Sequence, residues 1–126
     1  MTSTSPADDE HDELVRRFTA DMRQGIETLE RLGYPAHIFK RLLNRDGAVR
    51  AVTTLVLDRT PSYGLWRLKE LGRLDMSAEM WVLLPWYERL FDQAVRDQAE
   101  RKLRLLDVDV DRELRQLIDR ESGRGT

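Results

Sequence analysis

Apolar residues recur along most of this chain at the three- and four-residue spacing of a helix, not at the alternation of a strand. Leu14, Phe18, Met22, Ile26 and Leu29 lay one stripe along a first helix. Gly33 stops it. Tyr34-Pro35 opens a second helix with proline in its first turn, where the missing N–H costs nothing. Ile38, Phe39, Leu42 and Leu43 give that helix an expected buried face, and "NRDG" ends it. A third helix is predicted from Ala48 to about Leu57, burying Val49, Val52, Leu55 and Val56. Its valines and threonines favour a strand, but the apolar residues do not alternate, and helix is the reading they support.

Thr60-Pro61 reads as an N-cap followed by proline at the first helical position, starting a helix through Leu71 that Gly72 closes. Asp75 or Ser77 then caps a short helix through Leu84, with Glu79 where the helix dipole favours an anion. Pro85 begins another turn, "PWYERLF". Val95, Ala99, Leu103 and Leu106 stripe a long helix, and Val110, Leu114, Leu117 and Ile118 stripe the last one. The expected fold class is all-α, a compact orthogonal bundle of about six to seven helices joined by short connections, in a single domain. That domain is expected over residues 11–121, with a disordered acidic tail at 1–10 and a frayed end at 122–126.

Composition narrows the class. With 126 residues, 35% charged and 40% hydrophobic, the chain has room for one core and no membrane span. Cysteine is absent, so disulfides, thiol catalysis and thiolate zinc sites are excluded. The polar start "MTSTSPADDEHDE" has neither the basic beginning nor the apolar stretch of a secretory signal, and a cytoplasmic location is the expectation.

Charge changes the picture more than its total of −2 suggests. Residues 1–33 carry four Lys/Arg against eight Asp/Glu, residues 34–73 eight against three, and residues 74–126 nine against twelve. A basic middle between acidic flanks marks either a surface for an anionic partner or flanks that fold against the middle.

Motifs that would name a reaction are missing. "DVDVD" puts Asp107, Asp109 and Asp111 at calcium-loop spacing, but Arg112 replaces the required glycine and Ile118 the terminal acid. The acids then serve to cap and charge the final helix. His11 lies in the acidic tail and His37 has no second histidine to join it, so no metal site and no cofactor is expected. Asp75 and Glu79 stand i,i+4 near Arg73. An enzyme would use them as a general acid/base pair, whereas the favoured reading is a structural ion-pair group in which Arg73 neutralises both.

All three tryptophans fall between Ser62 and Phe91. Trp66 joins Leu65 and Leu68, and Trp81 joins Met80 and Leu84, which predicts both in the core. Trp86, Tyr87 and Arg89 follow Pro85 at a helix boundary and form the predicted partner-binding group, because these residue types dominate interface energetics. A helix-turn-helix offers the alternative: Arg67, Lys69 and Arg73 would face nucleic acid and Arg50 and Arg59 would contact phosphate.

Within this stretch, Gly47, Ala51, Leu55, Gly64, Arg67-Leu68, "GRLD" at Gly72 to Asp75, Ser77, Glu79 and Leu90-Phe91 form a block. It resembles a block shared by a family of short bacterial proteins, over about a third of the chain. The resemblance implies no activity and carries over no catalytic residue. It implies only that Arg67, Arg73, Asp75 and Glu79 belong to one arrangement. The function expected from all this is a small cytoplasmic helical module acting through protein contacts in a bacterial complex or as a homo-oligomer.

Overall fold

The computed structural model describes residues 6–34, 36–58 and 63–124. Among them every regular element is helical, and the chain is all-α as its periodicity predicts. The α-helices are α1 (Pro6–Arg31), α2 (His37–Asp46), α3 (Ala48–Leu57), α4 (Tyr63–Glu70), α5 (Ala78–Val82), α6 (Gln93–Arg104) and α7 (Val110–Arg124). Two 3-10 helices, Leu74–Met76 and Pro85–Leu90, flank α5. No helix among the described residues is long and apolar enough to cross a membrane. The chain groups into two units, Met1–Val52 and Thr53–Thr126, with the boundary inside α3.

In the first unit, α1 begins at Pro6 and takes in residues 6–10, which differs from the disordered tail expected there. Asp8 and Asp9 lie in its first turn, where the helix dipole favours negative charge, and this is what lets the helix start early. Phe18, Met22, Ile26 and Leu29 are buried, as the stripe predicts. Gly33, at φ +80°, ends the helix: its N–H bonds to Glu30 and that of Tyr34 to Leu29, the paired reverse bonds that need a left-handed residue. On α2 only Leu43 is buried, while Ile38 is exposed, contrary to the expected four-residue apolar face. Lys40 reaches Glu30 at 3.3 Å and Arg23 donates to Asn44 at 3.2 Å, so polar contacts also hold α2 against α1. The Tyr34-Pro35 start falls partly outside the described residues, since Pro35 is not among them.

The second unit is a helical bundle in which α5, α6 and the 3-10 helix Pro85–Leu90 carry much of the core. Met80, Val82, Leu84, Tyr87, Ala99, Leu103 and Leu106 are fully buried. The predicted stop at Gly72 is made the same way as that at Gly33, with φ +68° and bonds from Gly72 to Lys69 and from Arg73 to Leu68. Of Asp75 and Ser77, Ser77 caps α5: its hydroxyl accepts from the Met80 N–H at 3.1 Å and donates to the Leu74 carbonyl at 2.8 Å. Asp109 caps α7 by accepting from the Arg112 N–H at 3.1 Å, which accounts for one acid of "DVDVD". The expected Thr60-Pro61 start of α4 lies outside the described residues.

Two of the chain's three lysines close helix ends inside this unit. Lys102 donates to the Leu55 carbonyl at 3.0 Å, in the last turn of α3, and Lys69 donates to the Leu106 carbonyl just past α6. Helix C-termini present carbonyls that have no partner within the helix, and an ammonium satisfies them while opposing the dipole.

Candidate interaction surface

Pro85 fixes the entry to the 3-10 helix Pro85–Leu90, and the tight three-residue turn sends successive side chains to different sides. Tyr87 goes into the core with no exposed surface, so the predicted contact group loses this member. The reason is periodic: Leu84, Tyr87 and Leu90 lie three apart and share the buried side. Trp86 remains half-buried, its ring meeting that of Tyr87 edge-on at 6.3 Å. Arg89 is exposed and, among the described residues, makes no hydrogen bond or ion pair.

Beside it lies an open cleft of about 510 Å³ lined by Pro85, Glu88, Arg89, Phe91, Gln93 and Arg96. Arg96 is largely buried and pairs with exposed Glu88 at 3.2 Å. Arg96 is thus paired within the chain through one amino group while its buried Nε has no hydrogen-bond partner, and Arg89 is left to a ligand or to water. The cleft is open, and its polar members are two guanidiniums, one carboxylate and one amide. Such a set positions a partner's polar side chain by hydrogen bonding. It contains no nucleophile paired with a base.

The residues of the nucleic-acid reading are differently placed. Arg67 pairs with Glu70 at 3.2 Å, Lys69 is held by the Leu106 carbonyl, and Arg73 bonds Asp75 through two nitrogens at 3.1 and 3.3 Å. Arg50 is exposed on α3 in the first unit, and Arg59 lies outside the described residues. Within the second unit, the described members of this set therefore each meet an acceptor of the chain.

The expected acid pair is split. Asp75 sits between Arg73 and Arg120, the latter at 2.9 Å from α7, and its backbone carbonyl accepts from the Trp81 indole N–H at 2.7 Å. Glu79 does not join Arg73. It turns into the core and pairs with Lys102 at 3.3 Å. The two carboxylates thus share no cation, Asp75 having two and Glu79 one, and neither lines the cleft. Among the described residues no group of three His, Asp or Glu stands where it would hold a metal ion.

Trp66 overturns its expected place in the core: it is 42% exposed on α4. Leu65 and Leu68, both buried, set the inner face of α4, and position 66 lies about 100° from Leu65, off that stripe. The three-residue spacing of the two leucines was the signal that separates Trp66 from them. The Lys69 ammonium stands 5.5 Å from the centre of its ring, a cation–π contact. Trp81, in contrast, is buried as predicted.

Comparison of the chain with protein-family models, with curated proteins and with solved structures finds no match.

Proposed function

We propose that the protein is a small helical binding module that engages a protein partner through the surface from Pro85 to Arg96. The observation that supports this reading is Arg89, an exposed guanidinium with no partner among the described residues, placed on an open cleft and three residues from half-buried Trp86. Tryptophan and arginine are the residue types that supply most binding energy at protein interfaces, and a partner carboxylate would complete Arg89 with charge-assisted hydrogen bonds. Arg67 and Arg73 pair with acids of the chain and Lys69 bonds the Leu106 carbonyl, which favours the protein reading over the nucleic-acid one. The absence of cysteine fits a reducing, cytoplasmic setting, and the resemblance of the block from Gly47 to Phe91 to one in short bacterial proteins, itself part of this proposal, fits a role in a bacterial complex.

The test is site-specific photo-crosslinking in the native cell, with the reactive residue at position 93 and with nuclease added after lysis. The reading expects a crosslinked protein that survives nuclease and disappears in Arg89→Glu, whose melting temperature stays that of the wild type. Arg41→Glu, on exposed α2, should leave the crosslink in place. A crosslink indifferent to Arg89→Glu overturns the assignment of the surface, and one removed by nuclease replaces the protein partner with a nucleic acid.

A further inference from the structure

The outward side of α4 carries a pattern that is complementary to itself. Trp66, Arg67, Glu70 and Leu71 are exposed, whereas Leu65 and Leu68 are buried. At about 100° per residue these four positions fall within one continuous arc of about 140°, with Trp66 and Glu70 on one edge and Arg67 and Leu71 on the other. Leu71 continues the helix, since its N–H bonds to the Arg67 carbonyl at 3.0 Å. In order along the axis the arc reads apolar, basic, acidic, apolar.

We propose that this face pairs α4 with α4 of a second copy of the chain, antiparallel, about a two-fold axis passing between positions 68 and 69. Such an axis carries position 66 onto 71 and position 67 onto 70. Each edge of the arc then lies against the same edge of the second copy, Trp66 beside Trp66 and Leu71 beside Leu71. Between them Arg67, already 3.2 Å from Glu70 of its own chain, also meets Glu70 of the second copy, twice over. A parallel arrangement would set arginine against arginine and glutamate against glutamate, so the charges select the antiparallel one. The partner is a second copy because the face needs the same two charges in reverse order between apolar edges, which the chain itself supplies.

The structure also prepares the face. Lys69 is fixed by the Leu106 carbonyl and lies over the Trp66 ring, so the indole is held before any partner arrives. An eight-residue helix is about 12 Å long. Pairing over that length buries less than the ~800 Å² per partner of a standard interface, so the dimer is weak and appears only as concentration rises. This surface is separate from the cleft at Arg89, and neither proposal depends on the other.

Sedimentation velocity of the full chain from about 10 μM to about 1 mM, where weak dimers form, tests the pairing. The expected result is a monomer–dimer equilibrium that Glu70→Arg and Arg67→Glu each weaken by more than about tenfold, through like charges brought face to face. Mixed together, the two charge variants should recover dimer, because each supplies the charge the other lacks, and the double variant Arg67→Glu/Glu70→Arg should dimerise alone. Circular dichroism of each variant confirms that the fold is kept. A chain that stays monomeric throughout the range overturns the proposal. So does a dimer that ignores the charge reversals, or one that the mixture fails to restore.

Discussion

The Lys102 ammonium stands 3.3 Å from a Glu79 carboxylate oxygen with both side chains almost wholly out of water, at 2% and 8% exposure. The same ammonium donates to the Leu55 carbonyl at 3.0 Å, so one buried cation joins α3, α5 and α6. Removing water from two charges costs several kcal/mol per ion, and the pair recovers this only while both members and their hydrogen bonds are present.

Breaking the pair from one side should therefore cost more than removing it. Lys102→Met leaves the Glu79 carboxylate and the Leu55 carbonyl without their donor, and a loss of about 3–5 kcal/mol in urea unfolding is expected. The double variant Lys102→Met/Glu79→Leu removes both charges, and it should be more stable than Lys102→Met alone. Additive losses in the two single variants and the double would show that the charges do not act as a pair.

Ser77 carries a second concentrated contribution, because its hydroxyl both caps α5 and bonds back to Leu74 while fully buried. Ser77→Ala takes away the acceptor for the Met80 N–H and the donor to Leu74. A destabilisation of about 1–2 kcal/mol is expected. Equilibrium unfolding measures it, and amide exchange at Met80 should quicken in the variant, since that N–H loses its partner.

These contributions separate what sequence shows from what it hides. Gly33, Gly72 and Ser77 act on residues no more than a turn away, so their residue types and spacing announced them. The Arg73–Asp75 contact was legible for the same reason, being two residues apart. Lys102 is 23 positions from Glu79, and Arg120 is 45 from Asp75, and nothing local selects those partners. Surface placement followed the same division. The α1 stripe is long enough to fix its own buried face, whereas α4 is so short that Trp66 was drawn in with Leu65 and Leu68, though it lies off their side. At Arg89 the sequence supplied the residue and its helix boundary. The cleft beside it depends on where α6 sets Gln93 and Arg96, which local pattern does not encode.

Asp46 gives a prediction on the acid side of neutrality. Arg45 holds both of its carboxylate oxygens at 2.9 Å, and this hydrogen bonding, with the nearby charges of Arg45 and Arg50, lowers its pKa despite some opposing desolvation. A carboxyl whose pKa is lower folded than unfolded contributes its stabilisation above the unfolded value and loses it as pH falls through the folded one. NMR titration should find the Asp46 midpoint below the ordinary aspartate value, and Arg45→Ala should raise it. Between pH 6 and about 8 the variant's effect on stability should not change with pH, because Asp46 stays ionised in both states.

Asp107 is the one described non-glycine residue at positive φ, at +58°, and it closes the turn after α6. Two effects work against an aspartate there. A left-handed backbone costs an L-residue roughly 1 kcal/mol, a cost that aspartate reduces but glycine avoids. A negative charge beyond the last turn of a helix also opposes the dipole by about 0.3–1 kcal/mol, and α6 ends next to it. Asparagine removes only the charge, and glycine removes both effects while adding freedom to the unfolded chain. Asp107→Asn should therefore raise the melting temperature slightly and Asp107→Gly at least as much. Asp107→Val should lower it, since a β-branched residue tolerates this conformation least. Thermal unfolding of the three variants at low salt gives the order. Repeating it at high salt should shrink the gain in Asp107→Asn and deepen the loss in Asp107→Val, since both variants remove the same screened charge.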